Sequence, residues 1–412
     1  MSDNSHYMTA DDAADALNIS KSTLYAYVSR GMIRSEAVAG SKREKRYYRS
    51  DVERLLRQRD GKRNPEKLAQ ESLQWGSPVM DSAITLIEGG QCYYRGQNAI
   101  HLANTHSPEQ IASLLWTGDT AQANTLFTVD THQDVQRYET MLLHLAIDGA
   151  GFSPIQELQI ILPLIAADDL SAYDLRPESV IQKAARLLQI MVSVSAGDVP
   201  NDVSLVEMLQ QGYCPGQPEA QSLLAMTLIL CADHELNASS FTARVVASAE
   251  ATIYSSVIAG LATLQGKKHG GMTERVEALF DEVQTPERAE SVLAGRLRRG
   301  EEIAGFGHTL YPDGDPRGTA LIAAITEQYP DSEAVQTAQA ILQAADTLID
   351  EKATIDLGLV LMAKVLNLPP GTAIMLFALG RTIGWIGHAL EQYQSNTLIR
   401  PRAHYTGKMP QG

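Results

Sequence analysis

The strongest constraint on the fold is the run AIMLFALGRTIGWIGHAL near the C-terminus, which is apolar nearly all round when it is wound as a helix. It lies within residues 371–394, whose apolar positions recur at helical spacing. A helix of this kind must be buried in a large helical core or at a subunit interface. No stretch of the chain reaches the roughly 18 uninterrupted apolar residues of a membrane span. We therefore expect a soluble protein with no membrane partner.

Helical periodicity continues through most of the sequence beyond residue 103. It is clearest over residues 222–265, 318–328, 332–349 and 354–367. The segment just before this helical part, residues 84–103, has a different pattern: two β-rich runs flank Gly89 and Gly90 and predict a small hairpin. A chain of 412 residues is long enough for two or three domains. These patterns predict a mostly α fold.

Charge is distributed unevenly along the chain. Residues 1–64 carry a net charge of +4, whereas the remainder carries −19. This split indicates two parts with different partners. It argues against nucleic acid as a partner of the larger part, because contacts to phosphates need a positive face.

The N-terminal part has the pattern of two short helices joined by a tight turn. Residues 8–17 predict a helix that Thr9 can cap, and Ser20 can cap a second helix that ends at Gly31. The basic and aromatic segment 41–50 predicts a β-hairpin or wing, and residues 51–63 predict a further helix. The order is that of a winged helix-turn-helix.

This stretch resembles the helix-turn-helix modules of the MerR and excisionase families. The matching pieces are the T-A-D-D-A-A opening, the S-K-S-T-L-Y-A-Y-V helix and the R-Y-Y-R-S-D-V-E-R-L-L close. In such modules the second helix enters the major groove of DNA and the wing contacts the backbone. The resemblance implies candidate DNA contacts at Lys21, Ser22, Thr23, Tyr25, Arg43 and Arg46. Such modules also serve as docking or dimerisation elements, and both interpretations stay open.

Cysteine usage and the N-terminus indicate the compartment. The three cysteines form no C-x-x-C pair, so neither a disulfide framework nor a cysteine-rich zinc site is supported. The first residues have no basic and apolar signal pattern. We expect a cytoplasmic protein with no metal site.

Several polar clusters interrupt the apolar helices of the larger part. The most suggestive surround His269 and His308, because each of these residues lies beside glycines and between predicted helices. Glycine lets a ligand approach the backbone closely, and a junction between helices can form a pocket. Further clusters contain His234, Arg317, Asp356, Arg381 and Arg400.

The ordered set of these clusters resembles the citrate synthase family. The matching strings are ADHELNASSFTARVVAS, GKKHGGMTERV, GFGHTLYPDGDPRG and ALGRTIGWIGHALEQY followed by LIRPRAHYTG, with a weaker match at YRGQNAIHLA. The resemblance covers roughly residues 75–412, and several spaced motifs in one order are far more specific than a single signature. It implies large and small helical domains. We therefore predict a module at 1–64, a linker at 65–74 and a catalytic region at 75–412, with the small domain at about 220–330.

The resemblance also implies roles for individual residues. Asp356 would be the general base that removes a proton from the acyl-CoA, His269 would stabilise the enol or enolate, and His308 would polarise the ketone of the oxo acid. The carboxylates of oxaloacetate would be bound by His234, Arg317 and Arg381, and by Arg400 of a neighbouring subunit, so at least a homodimer is expected. No cofactor is implied, because the coenzyme A thioester is a substrate.

These residue types suit the chemistry. A proton next to a thioester is weakly acidic, and a donor placed where charge develops on the oxygen lowers the barrier to its removal. Arginine forks bind each carboxylate of a dicarboxylate by two parallel hydrogen bonds.

The sequence departs from the family pattern on the acyl-CoA side. Pro312 stands where family members often carry a basic residue that can meet the CoA phosphates. CoA contacts are then expected from Lys267, Lys268 or backbone groups near Gly305 and Gly307. The segment TIDLGLV around Asp356 also differs from the usual N-V-D-x-x-S-G.

Three functions stay open at this point. The first is condensation of acetyl-CoA with oxaloacetate and water to give citrate and CoA. The second is the same reaction with propionyl-CoA, which gives 2-methylcitrate. The third is a DNA-binding metabolite sensor that reuses the enzyme fold, since fold does not fix function. A pure sensor would have no need of the base Asp356, so this residue favours catalysis.

Overall fold

The computed structural model describes residues 7–37, 45–49, 51–52, 55–56, 80–128, 130–146, 151–197 and 203–410. The chain forms two compact units, Met1–Asp81 and Ser82–Gly412. The predicted linker at 65–74 and the candidate DNA contact Arg43 lie outside the described residues. The boundaries of the module and of the small domain stay predictions.

The first unit is a pair of short helices against a small sheet. Its strands are β1 (Tyr7–Met8), β2 (Ser35–Ala37) and β3 (Lys45–Tyr48), and its helices are α1 (Ala10–Leu17) and α2 (Lys21–Ser29). The strands are antiparallel in the order β1-β3-β2. The Thr9 and Ser20 side chains accept hydrogen bonds from the backbone N–H groups of Asp12 and Thr23, so both predicted N-caps are confirmed. Gly31 has a φ of 70°, the left-handed conformation expected just after a helix.

The predicted hairpin or wing at 41–50 is described only at residues 45–49. Strand β3 falls inside that segment, but its partner β2 lies upstream, at Ser35–Ala37. Ser-Glu-Ala contains no β-branched or aromatic residue, so the strand carries no propensity signal and forms because β3 offers it a partner. The predicted helix at 51–63 falls largely outside the described residues, although Val52 and Leu55 are buried in the core of this unit.

The second unit is almost entirely helical, apart from one small antiparallel sheet. The sheet contains β4 (Thr85–Glu88), β5 (Gln91–Tyr94) and β6 (Gln97–Asn98) in that order. The helices are α3 (Ala99–Thr105), α4 (Pro108–Thr117), α5 (Ala123–Leu126), α6 (His132–Leu145), α7 (Pro154–Asp168), α8 (Pro177–Ala196), α9 (Leu205–Tyr213), α10 (Ala220–Cys231), α11 (Ala238–Ser248), α12 (Ile253–Leu264), α13 (Gly271–Val283), α14 (Ala289–Arg298), α15 (Pro316–Gln328), α16 (Glu333–Leu348), α17 (Ile355–Val365) and α18 (Thr372–Ser395). A short 3₁₀ turn covers Pro286–Arg288. The mostly α prediction is confirmed.

The predicted hairpin around Gly89 and Gly90 is present as β4 and β5. Both glycines have positive φ, 64° and 70°, which a two-residue type I′ turn requires at its two central positions. The Tyr94 hydroxyl at the end of β5 donates to the Ile229 carbonyl at 3.0 Å, which attaches the hairpin to the end of α10.

Helix α18 is the central element of the core, as its sequence predicts. Every residue from Thr372 to Leu390 is buried, and the helix contacts α4, α10, α11 and α12. By length and composition alone α18 could cross a membrane, but its apolar window is wholly buried inside the protein. The indole of Trp116 on α4 donates to the Ile383 carbonyl at 2.9 Å. Burial on all sides explains why α18 has no polar face.

Candidate active site

His234 lies in the turn between α10 and α11, and the β4–β5 hairpin forms hydrogen bonds to that turn. Thr85 on β4 donates to the carboxylate of Asp233, the residue before His234, at 2.6 Å, and the Tyr94 hydroxyl lies 3.2 Å from the Asp233 carbonyl oxygen. Asp233 is fully buried, and His388 on α18 lies 3.2 Å from its carboxylate. The backbone that carries His234 is therefore fixed from two directions.

His234 and His308 meet around the ring of Tyr311. His234 Nε2 is 3.0 Å from the Tyr311 hydroxyl, and the ring centroids of the two histidines are 5.2 Å apart, edge to face. The backbone N–H of Leu310 donates to His308 Nδ1 at 3.1 Å. Because Nδ1 accepts that bond, the proton of the neutral His308 ring is on Nε2. His308 can thus act as a donor.

His269 lies just before α13 and is held by a different set of groups. Its Nε2 is 2.8 Å from the Ser239 hydroxyl, which also accepts a hydrogen bond from the indole N–H of Trp385 at 3.1 Å. The ring of Phe377 stands edge to face against His269, with centroids 6.1 Å apart. One side of the imidazole is therefore fixed by α11 and the other lies against α18.

The two candidate arginines are buried but differ in their partners. Arg317 is 2% exposed and gives two bonds to Asp315, from Nε at 3.0 Å and from Nη2 at 2.8 Å. Arg381 is 1% exposed, donates from Nε to the Cys231 carbonyl at 2.7 Å, and lies 4.9 Å above the Phe377 ring. Within the described part of the chain, the Nη1 group of Arg317 and both Nη groups of Arg381 have no acceptor. These donors are suited to bind an anion.

Asp356 begins the first turn of α17. Thr354 donates to its Oδ2 at 3.2 Å, while Oδ1 is shielded from solvent and has no hydrogen-bond partner among the described residues. Burial raises the pKa of Asp356 to about 6, although the Thr354 bond and the charge of Arg317 act in the opposite direction. A carboxylate with a raised pKa and a free oxygen is a typical general base.

All three histidines are neutral near pH 7. Burial lowers the pKa of His269 to about 4, with a smaller contribution from the charge of Arg381. Burial and then the charge of Arg317 lower the pKa of His308. Burial holds the pKa of His234 well below its usual value, and the charges of both arginines add to this effect. Neutral imidazoles leave the two arginines as the cations of the site.

The structure thus brings together six of the seven residues assigned to the catalytic and dicarboxylate groups. They are His234, His269, His308, Arg317, Asp356 and Arg381. The rings of His234 and His308 are in contact, His269 and Arg381 both lie against Phe377, and Asp315 bonds both Arg317 and the N–H of Ile355, the residue before Asp356. Arg400 is the exception, because it is exposed on the C-terminal segment after α18 and makes no hydrogen bond or ion pair with any described residue of its own chain.

The four candidate CoA contacts lie next to two of the histidines. Lys267 and Lys268 are exposed, immediately before His269. Gly305 and Gly307 precede His308 and have positive φ values of 87° and 76°. Some of their backbone hydrogen-bonding groups already have partners within the protein: the Gly305 carbonyl accepts from Thr354 N, and Gly307 N donates to the Lys352 carbonyl. A side chain at Gly307 would also collide with Glu351.

Sequence reasoning missed the residues that support the site. Tyr311, Asp315 and Ser239 were all inside the quoted motif strings, yet nothing in the sequence indicated their distant partners His234, Ile355 and His269. Phe377 was hidden in the apolar run of α18. In the described residues, no three His, Cys, Asp or Glu side chains are grouped so that they could hold a metal ion.

The candidate DNA contacts of the first unit are largely paired with their neighbours. Lys21 forms an ion pair with Asp11 at 2.5 Å, and Ser22 and Thr23 hydrogen-bond the Ser20 hydroxyl. Arg46 pairs with Glu36 at 3.1 Å and lies 3.8 Å above the ring of Tyr7. Tyr25 is 52% exposed on α2.

Comparison with known proteins agrees with this arrangement. The family model "Citrate synthase, C-terminal domain" matches residues 73–402, and a "Helix-turn-helix domain" model matches residues 7–60. A citrate synthase of Haloferax volcanii is 33% identical over 81% of this chain and 94% of its own length. A 2-methylcitrate synthase of Mycobacterium tuberculosis is 30% identical over 76% of this chain and 84% of its own length. The crystal structure of citrate synthase from Thermotoga maritima has a TM-score of 0.69 at 26% identity and covers 82% of this chain and 96% of that one.

The fold and the family matches define a mostly helical enzyme that condenses two substrates, preceded in sequence by a helix-turn-helix domain. The chain belongs to the citrate synthase family, and both resemblances drawn from the sequence are confirmed.

Proposed function

We propose that the protein condenses acetyl-CoA with oxaloacetate and water to give citrate and CoA. The observation that carries the proposal is Asp356, whose carboxylate has a raised pKa and an unpartnered Oδ1 among neutral histidines and two buried arginines. Relatives named citrate synthase support the same reaction.

Each step uses a group with the right chemistry. Asp356 takes a proton from the acyl methyl group while His269 gives its proton to the thioester oxygen, and the thioester becomes an enol. The enol carbon then attacks the ketone of oxaloacetate; the enol O–H returns its proton to His269, and His308 gives its Nε2 proton to the ketone oxygen, where negative charge develops. Water finally cleaves the thioester: one of its protons restores His308, its OH forms the new carboxyl group, and CoA leaves as the thiol with the proton that Asp356 took.

His269 must present the proton on Nδ1 to act as this donor. The indole N–H of Trp385 can only donate, so the Ser239 oxygen accepts from it and can give its own proton to His269 Nε2. The same hydroxyl lies 2.7 Å from Asn237 Oδ1, a competing acceptor. In our proposal the proton goes to His269 when the acyl-CoA is bound.

The oxaloacetate dianion would be held by His234, Arg317 and Arg381. Arg400 would complete the site from a neighbouring subunit in a homodimer. It is exposed, and it bonds none of the residues that the structure describes in its own chain, which suits that role. Lys267, Lys268 and the backbone near Gly305 and Gly307 are the proposed contacts to CoA. Three unpaired, buried thiols suit the cytoplasm, the location that we propose.

The acyl group distinguishes this proposal from its close variant, the formation of 2-methylcitrate from propionyl-CoA. One methylene changes binding by only about 1–3 kcal/mol, and relatives of both kinds match the chain. The test is CoA release with oxaloacetate and acetyl-, propionyl- or butyryl-CoA. The highest kcat/KM with acetyl-CoA supports the proposal, a higher value with propionyl-CoA selects the variant, and no turnover with any acyl-CoA removes the enzymatic function.

The pH dependence should follow Asp356. Its pKa of about 6 means that kcat/KM should decline as the pH falls through about 6, because the base becomes protonated. The pKa values of the three histidines lie below the ordinary 6.5, so none of them should add a second transition near pH 7. Measuring kcat/KM for acetyl-CoA between about pH 5 and pH 9 checks this, and a profile that stays flat down to pH 5 would contradict it.

A second proposed function is DNA binding by the first unit, favoured by the helix-turn-helix match and by the exposed face of α2. The paired state of Lys21 and Arg46 makes docking or dimerisation the competing role of the module. Selection from a random duplex library with the full-length protein distinguishes the two.

If a duplex is selected, Lys21→Ala should weaken binding and reduce the slope of log K against log salt by about one, because one phosphate contact is lost. Lys408→Ala, at an exposed lysine near the C-terminus, is the control. An unchanged slope in Lys21→Ala would remove this residue from the interface, and failure to enrich any duplex would favour docking.

A further inference from the structure

We propose that Asp315 is a positioning residue that links the arginine of the dicarboxylate site to the helix that carries the base. The inference rests on the proposed condensation and adds to it a residue with no assigned role. Asp315 is fully buried, immediately before α15.

The first half of the link joins Asp315 to Arg317. Its Oδ1 accepts from the backbone N–H of Arg317 and from Arg317 Nε, both at 3.0 Å, and its Oδ2 accepts from Nη2 at 2.8 Å. A planar guanidinium held by two parallel bonds has one orientation, so its Nη1 group is aimed by Asp315. The negative charge of Asp315 also balances the positive charge of Arg317, which a buried arginine requires when no substrate is bound.

The second half joins Asp315 to α17. Its Oδ2 accepts a further bond from the backbone N–H of Ile355 at 3.2 Å, and Ile355 is the first residue of the helix and precedes Asp356. The two helices meet so closely that a Cβ atom on Gly318 would lie 2.6 Å from the Thr354 carbonyl carbon. A shift of Asp315 would therefore be transmitted to the start of α17.

The same short segment also holds the loop of His308. Thr354 N donates to the Gly305 carbonyl at 2.8 Å, and Gly307 N donates to the Lys352 carbonyl at 3.0 Å. Residues 352–355 are thus bonded to the His308 loop on one side and to Asp315 on the other. The ketone polariser, the carboxylate clamp and the base are joined by this one segment.

Two substitutions separate the halves of the link. Asp315→Asn keeps one acceptor oxygen, which in the Oδ2 position can still accept from Arg317 Nη2 and Ile355 N. It loses the negative charge and turns an amide NH₂ group toward the two donors that Oδ1 served, Arg317 Nε and the Arg317 backbone N–H, so the two-bond clamp on the guanidinium is broken. Ile355→Pro removes the N–H that bonds Asp315 and shortens the side chain, at a first helical position where proline is well tolerated, after a residue in the extended conformation. Ile355→Ala is the matched control, because it also truncates the side chain but keeps the N–H.

The readouts are kcat for CoA release and the Kd of oxaloacetate measured by calorimetry. We expect Asp315→Asn to weaken oxaloacetate binding and to lower kcat, each on the order of 10- to 100-fold, because small misplacements of catalytic groups have effects of this size. We expect Ile355→Pro to lower kcat about 10-fold relative to Ile355→Ala, with the Kd within about threefold.

Several outcomes would overturn the link. One is an Asp315→Asn protein that has lost thermal stability but retains kcat and Kd per folded molecule, which would make Asp315 purely structural. Another is an equal kcat in Ile355→Pro and Ile355→Ala. If Asp315→Asn does not fold, the Ile355 pair decides. If the wild type binds oxaloacetate but releases no CoA, the condensation fails, and an unchanged Kd in Asp315→Asn then refutes the link to Arg317.

Discussion

Asp356→Ala should reduce CoA release from acetyl-CoA and oxaloacetate by at least about 100-fold, the lower end of what a general base contributes. The Oδ1 atom of Asp356 has no partner in the described chain and burial raises the pKa of the group, so the carboxylate is prepared to accept a proton. The loss should appear in kcat, while the KM of oxaloacetate changes little, because the arginines and His234 remain. Steady-state assays of CoA release at about pH 8 measure both quantities.

The same substitution should not destabilise the fold. The pKa of Asp356 in the folded chain, about 6, is above the ordinary aspartate value of 3.8, so above that range the ionised carboxylate opposes folding. We therefore expect an unchanged or higher Tm for Asp356→Ala at pH 8. Asp331→Ala, at an exposed aspartate between α15 and α16, is the control and should keep full activity. An active Asp356→Ala protein would require another base.

Arg381→Lys should lower kcat/KM for oxaloacetate on the order of 100-fold, with a much smaller effect on the KM of acetyl-CoA. Lysine keeps the charge but loses the planar fork and the Nε bond to the Cys231 carbonyl. Both Nη groups of Arg381 lack an acceptor in the described chain, so in our proposal they are reserved for a substrate carboxylate. Separate titrations of the two substrates check the prediction.

The control for Arg381→Lys is Arg298→Lys, at an exposed arginine at the end of α14. It should leave both KM values unchanged. Equal losses for oxaloacetate and acetyl-CoA in Arg381→Lys would indicate a general disturbance of α18 instead of a lost carboxylate contact. An unchanged KM for oxaloacetate would place the dicarboxylate elsewhere.

The features that sequence reasoning predicted correctly are local. Thr9 and Ser20 cap their helices because a side-chain oxygen reaches an N–H three residues ahead, and Gly89 and Gly90 form the turn because glycine adopts positive φ readily. Burial of α18 also follows from its own composition. The strand at Ser35–Ala37 could not be predicted in this way, since it depends on a partner ten residues away.

The sequence predicted which residues belong to the site but not which contacts hold them. The ordered motifs named His234, His269, His308, Asp356 and Arg381, yet several of the partners that hold them are distant in sequence. Tyr311 is 77 positions from His234, and Trp385 is 146 positions from the Ser239 that it bonds. No spacing rule connects such pairs, because they meet only where separate helices pack.

The sequence by itself determined the helical class, the capped pair of helices at the N-terminus, the family and the residue types available for chemistry. Only the tertiary structure decided that Asp315 serves both Arg317 and Ile355, that the Oδ1 atom of Asp356 has no partner in the described part of the chain, and that Arg400 stands apart from the cluster in its own chain. The reason is physical. Caps, turns and periodicity depend on neighbours within a few residues, whereas burial, pKa shifts and shared hydrogen bonds depend on which helices the folded chain brings into contact.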